Sequence, residues 1–411
     1  MAEPDPSAEL KAENARLIAL LEANGIQWRV ETKHVPAASM PEPSRLSTGE
    51  KVALFRRLFR GRTDVYPIRW ESKTTAKSGY SPACANEWRA GVCEKPRIKC
   101  GDCSNRSLIP LSDAVIYEHL SGESTIGIYP LLEDDTCYFV AIDFDEAEWR
   151  EDARAFVQSC SELGVPVALE ISRSGNGAHA WVFFAGRVSA RDAHRLGTAI
   201  ISHTCSRTRQ LNLESYDRLF PNQDTMPKGG FGNLIALPLQ KKPRENGGSV
   251  FVDAGLRPYP DQWGFLASVQ LMAPQDIEPT ILRATGRAHP LDVTFIDDED
   301  LAAPWKGSAR STRKLSGTMP EFLTVTLGNL VYFEKAQLPQ SLANRLIRLA
   351  AFQNPEFYRA QAMRLSVWDK PRVIGCADNY PQHIALPRGC LGAAQELLSE
   401  NGIRCDLRDE R

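Results

Sequence analysis

The chain has 411 residues, 43% hydrophobic and 24% charged, with no apolar run near the roughly 18 residues of a membrane span; this excludes a helical membrane protein and leaves room for two or three domains. A formal net charge of -2 excludes a globally basic nucleic-acid binder, so any such partner must meet local basic surface. Ten cysteines are too sparse for a disulfide scaffold and no apolar signal core follows the N-terminus, so a reducing, cytoplasmic setting is expected.

Residues 1–33 are expected to hold one amphipathic helix, with Leu10, Leu17, Ile18 and Leu21 at helical spacing among charged residues. A Pro- and Ser-rich linker follows over 34–48. From residue 49, Val52, Leu54, Phe55, Leu58 and Phe59 give an apolar helical face beside Arg56, Arg57, Arg60 and Arg62. That basic side is either a solvated face or a surface that tracks phosphates.

Cys84, Cys93, Cys100 and Cys103 are spaced C-x8-C-x6-C-x2-C, with Gly101 inside the last pair. Four thiolates so placed can close a tetrahedron around a structural zinc, and the intervening segment is too polar to be a core of its own. The knuckle at 84–103 carries Arg89, Lys95, Arg97, Lys99 and Arg106, a cationic knob suited to phosphate.

From 111 to about 270, strand-like and helical runs alternate, which predicts a mixed sheet with helices packed on it. CYFVAIDFD ends in Asp143-Phe144-Asp145. Period two sets both carboxylates on one side of a strand end, where they can share divalent ions for phosphoryl displacement. A strand-end DxD alone also fits surface turns and other metal enzymes. ISRSGNGAHAWVFF then offers Ser172, Arg173, Ser174 and His179 around a glycine-bearing loop. Hydroxyls, a guanidinium, amides and an imidazole together suit a triphosphate. In ESYDRLFPNQD, Asp217 and Asp224 are both candidates for a last metal ligand. A linker is expected over 286–320 and a small α/β domain over 321–411.

DFD, SGNGAHAW and YDRLFPNQD, in this order, resemble the three motifs of the archaeo-eukaryotic primases. The run from LFRGRTDVYPIRW to FVDAGLRPYPDQW, roughly residues 50 to 270, looks like the primase domain of TOTE conflict systems and of CRISPR-associated primase-polymerases. The resemblance implies an α+β fold, an RRM-like catalytic sheet joined to a second α/β layer, within a domain over 49–285. It implies template-directed nucleotide transfer to a 3′-hydroxyl, or to a second nucleotide when a primer is begun, with release of pyrophosphate. Asp143, Asp145 and Asp217 would hold two Mg2+ or Mn2+ ions, while Ser172, Arg173, Ser174 and His179 would meet the nucleotide. The partners implied are a single-stranded DNA or RNA template, a primer, dNTPs or NTPs, and a helicase or CRISPR adaptation proteins. The C-terminal stretch looks like the lead-in to a superfamily-two helicase, although no Walker A motif is present. A metal-dependent nuclease would use the same carboxylates without a triphosphate loop, and a non-catalytic zinc-containing DNA-binding module would leave the acidic strand ends without a purpose.

Overall fold

The structure, a computed structural model, describes residues 46–72, 77–145, 148–205, 218–285, 319–367 and 369–410, together with Arg16. Most of the N-terminal helix, nearly all of both linkers, and Asp217 lie outside the described residues. All that follows belongs to the compact unit Arg45–Arg411.

Helix α1 (Thr48–Leu58) starts at a reciprocal cap: the Glu50 amide donates to Ser47 Oγ at 3.3 Å and the Ser47 amide to Glu50 Oε2 at 2.7 Å. The hairpin β1 (Pro67–Glu71) and β2 (Ser78–Pro82) follows, then α2 (Asp113–Ser121) and the short β3 (Gly127–Ile128). The central elements are β4 (Thr136–Phe144), α3 (Trp149–Leu163), β5 (Ala168–Ile171), β6 (Ala178–Ser189), α4 (Ala190–Cys205), β7 (Leu219–Phe220), β8 (Ile235–Ala236), α5 (Lys241–Glu245) and β9 (Val250–Val252), closed by α6 (Gln262–Ser268) and α7 (Ile277–Thr285). Five of these strands form one antiparallel sheet in the order β7-β4-β6-β5-β9.

Both faces of that sheet are covered. Val140, Ile142, Phe144 and Val182 pack with Phe156, Leu196, Ile200 and Ile281 of α3, α4 and α7. Phe139, Ala141, Trp181, Phe183 and Phe251 pack on the other face with Phe55 and Phe59, and Trp181 and Phe183 meet the Phe59 ring edge-on at centroid distances of 5.0 and 5.3 Å. Burial on two sides explains why β4 reads as a nearly continuous apolar run rather than an alternating one. A bulge between Cys137 and Phe139 restores the phase.

Residues 319–410 build a second sheet around their own core of Leu323, Phe333, Leu342, Leu346, Ile384 and Leu398. Its strands are β10 (Phe322–Leu327) and β11 (Val331–Glu334), followed by α8 (Gln340–Leu349), the separate hairpin β12 (Ala351–Gln353) and β13 (Val373–Gly375) enclosing α9 (Pro355–Ala362), then β14 (Asp378–Asn379), β15 (His383–Leu386), α10 (Leu391–Glu400) and β16 (Arg404–Asp409). The order is β14-β15-β11-β10-β16, with only the β10–β16 pair parallel. Among the described residues no helix is long and apolar enough to cross a membrane.

One buried group in the first turn of α3 gives a pH signature. Burial, then Glu148 and Glu151, push the Asp152 carboxyl up to about 6. A carboxyl whose folded value lies above its unfolded value of about 3.9 stabilises fully below the unfolded value, and that contribution is lost as pH rises through about 6. Asp152→Asn should therefore stabilise the chain by about 1–2 kcal/mol at pH 8, after allowance for solvent screening, and change little at pH 4. Urea melts at the two pH values check this, and a destabilised variant at pH 8 would contradict it.

Candidate active site

The antiparallel register sets Asp143 of β4 opposite His179 of β6, and His179 opposite Glu170 of β5. Directly opposed residues share a face of a sheet. The three side chains therefore form a row across three strands, at the end where β4 gives way to Asp145. Glu170 is only 1% exposed and its Oε2 receives the Trp181 Nε1–H at 3.0 Å and the His179 Nδ1–H at 2.9 Å. A carboxylate can only accept, so the proton on His179 is fixed at Nδ1 and Nε2 is turned toward Asp143, 3.6 Å from Oδ1. Burial alone would lower the His179 pKa, but Glu170 and then Asp143 hold it above its ordinary value.

The glycine-bearing loop closes tightly on the end of β4. A Cβ at Gly177 would lie 2.6 Å from the Phe144 carbonyl oxygen and 3.2 Å from Ser172 Oγ, so this position has no room for a side chain. Gly175, at φ +76, takes the left-handed turn that an L side chain resists. Within the loop Ser172 Oγ and Ser174 Oγ are 3.1 Å apart, and Ser174 Oγ accepts the Asn176 amide at 3.2 Å. Arg173 leads away from this pair: its Nε donates to Gln240 at 3.1 Å and its Nη2 meets Glu71 of β1 at 3.4 Å. The loop thus joins the β1–β2 hairpin to the row of charged groups.

Asp145 is paired with Arg218, whose carbonyl also accepts the Asp143 amide at 3.0 Å. The strand within the third motif, β7, is thereby pinned to the DFD end. Asp217 itself lies outside the described residues. Asp224 is not part of this cluster's bonding. Burial would raise its pKa, yet the Arg372 guanidinium at 3.1 Å, with His194 and Gln361, holds it below the ordinary carboxylate range.

Two contributors escape sequence reasoning. Glu170 is a lone acid in the apolar run VPVALEIS; its signal is that a charge inside a buried strand demands a partner. Arg218 adjoins a candidate that sequence did mark, but its pairing with Asp145 is tertiary.

Among the described residues no three His, Cys, Asp or Glu side chains stand ready as a metal cluster. The chemistry of the donors nevertheless fits hard divalent cations: two carboxylates, side chains 25% and 54% exposed, project from one strand end beside a cationic guanidinium. Cys84, Cys93, Cys100 and Cys103 all line one cavity of about 20 Å3, room for a single ion. The Ser107 amide donates to Cys84 Sγ at 3.3 Å, and four cysteines are by residue type the donors that a structural zinc takes.

Residues 50–280 match the archaeo-eukaryotic primase domain of TOTE conflict systems. Among solved structures, the chain is similar to the polymerase domain of Ligase D from Mycobacterium tuberculosis, solved in complex with DNA, at 12% identity over 58% of this chain and 89% of that one, with a TM-score of 0.28. No curated protein matches it.

Proposed function

The chain belongs to the archaeo-eukaryotic primase family of TOTE conflict systems, and from that premise we propose that it is a primase-polymerase that transfers nucleotides onto a primer or a first nucleotide along a single-stranded template. The observation that carries this reading is the row Asp143–His179–Glu170 meeting the SGNG loop at one strand end.

Asp143 and Asp145, with Asp217 of the same motif set, would hold two Mg2+ or Mn2+ ions. When bound, such ions lower the pKa of an attacking hydroxyl and neutralise charge on the phosphates. His179, its Nε2 presented by Glu170, donates or accepts at the phosphate edge, and the Ser172 and Ser174 hydroxyls orient it. Because the imidazole is fixed in place before substrate arrives, little reorganisation is needed at the moment of transfer. Arg218 adds positive charge beside the same carboxylates. At the opposite end of β4, Arg56, Arg57, Arg60 and Arg62 line a cleft of about 810 Å3, with the Arg60 guanidinium 4.1 Å from the Tyr138 ring centroid. Asp64, Asp113, Glu133 and Asp134 share its lining, with Arg56 paired to Asp113 and Arg62 to Asp64 and Glu133, so Arg57 and Arg60 beside Tyr138 are the groups that would meet the phosphates and unpaired bases of a template strand.

The test is primer synthesis and extension on single-stranded DNA with Mn2+ or Mg2+ and labelled dNTPs or NTPs. Lengthened products support the reading and reveal the sugar preference. Metal-dependent shortening replaces it with a nuclease, and binding without either leaves a DNA-binding module.

For the cysteine knuckle we propose a structural zinc. Elemental analysis of the full chain should give one zinc per chain, released as a mercurial titrates the thiols, with a fall in melting temperature. A zinc-free chain that melts at the same temperature would remove the knuckle from the account.

A further inference from the structure

A buried ion pair lies where residues 319–410 meet the central sheet. Arg372, 4% exposed, ends the segment that returns from α9 to β13. Its Nη2 donates to Asp224 Oδ1 at 3.1 Å and to the Asn222 carbonyl at 2.9 Å, and its guanidinium lies 4.9 Å from the Phe357 ring centroid. Gln361 of α9 closes a reciprocal pair, accepting the Asp224 amide at 3.0 Å and donating to Asp224 Oδ2 at 3.2 Å. Three residues later Arg364 forks onto Asp135 at 2.7 and 3.0 Å, just before β4 begins.

The grip lands on a segment that matters. Asn222 is two residues beyond β7, its amide donates to Asn233 Oδ1 at 3.2 Å, and Asn233 in turn donates to the Leu219 carbonyl at 3.3 Å. β7 pairs with β4 at Leu219–Ile142 and Phe220–Ala141, and the residue before it, Arg218, holds Asp143 and Asp145. A two-residue strand makes too few ladder bonds to fix its own position. A surface attachment alone would not need a buried arginine, because a buried ion pair adds little net stability against its desolvation cost, whereas fixing one arrangement of the chain is a use such pairs have in some proteins.

We infer that Arg372 and Asp224 are positioning residues for the carboxylate site: the C-terminal unit sets β7, and through Arg218 sets the donor geometry of Asp143 and Asp145. This rests on the nucleotidyl-transfer reading only in what the site is used for. The geometry assigns Asp224 to this brace.

The test uses the full chain with Asp224→Asn and Arg372→Lys, and Gln361→Ala as the variant that spares the ion pair should either of those fail to fold. Two measurements are made on variants with cooperative melts: Mn2+ affinity by water-proton relaxation, and hydrogen exchange of the β7 amides. The expected result is Mn2+ binding weakened about tenfold or more, with faster exchange confined to β7 and the adjoining end of β4. Folded variants with wild-type Mn2+ affinity and unchanged β7 exchange would overturn the inference, as would exchange that rises only within 319–410. A wild-type chain that binds no Mn2+ sinks the transfer reading, and the β7 exchange still decides this one.

Discussion

Asp143→Asn combined with Asp145→Asn should reduce nucleotide transfer by at least about a thousandfold while leaving the fold intact. Each substitution keeps shape and removes charge at the strand end, where neither carboxylate belongs to the apolar core. Arg218 loses the Asp145 charge, but at a site half open to water the cost to stability is small. Single-nucleotide incorporation with Mn2+ measures the loss, and a thermal melt within a few degrees of wild type shows that folding is not its cause. A variant within tenfold of wild-type activity would rule out the strand-end carboxylates as the reaction centre.

Glu170→Ala has the second largest expected effect and differs in kind, because it damages both folding and chemistry. It leaves the His179 Nδ1–H and Trp181 Nε1–H facing a cavity with no acceptor. Orphaning donors and removing one partner of a buried charged pair costs about 2–4 kcal/mol. His179 would also lose the constraint that presents Nε2 to Asp143, so the nucleotide KM should rise in whatever fraction stays folded. Glu170→Gln separates the two losses: its amide oxygen still serves one donor, so most of the stability returns while the imidazole is no longer held as before. Urea melts and nucleotide titrations on both variants supply the check. A Glu170→Ala chain as stable as wild type would show that the row is not held together by this carboxylate.

The parts of this architecture legible in sequence are those written in local periodicity. CYFVAIDFD, VPVALEIS and AHAWVFFAG occupy β4, β5 and β6, because apolar runs bounded by turn residues carry their own signal. The SGNG loop was visible as a turn, and its glycine at 177 follows from a close approach that only the fold reveals. Glu170 could not be assigned to His179 beforehand, since nine residues separate them and only the β5–β6 register brings them opposite. The Asp224–Arg372 pair spans 148 positions, with no spacing rule to connect them. In the sequence Asp224 is equally a candidate metal ligand, because a short acidic side chain after Pro-Asn-Gln looks the same whether it will meet an ion or an arginine.

The covering of both sheet faces has a consequence for how the protein can change. Every position along the middle of β4 and β6 is committed to packing on one side or the other, so along these two strands neither face of the sheet is open to a base. On the proposed reading, substrates approach the rim where the strands run out, end-on to the sheet. New specificities can then arise at this rim through loop exchange, without disturbing the interior, whereas a substitution between Phe139 and Ile142 alters rigidity before it alters choice of substrate.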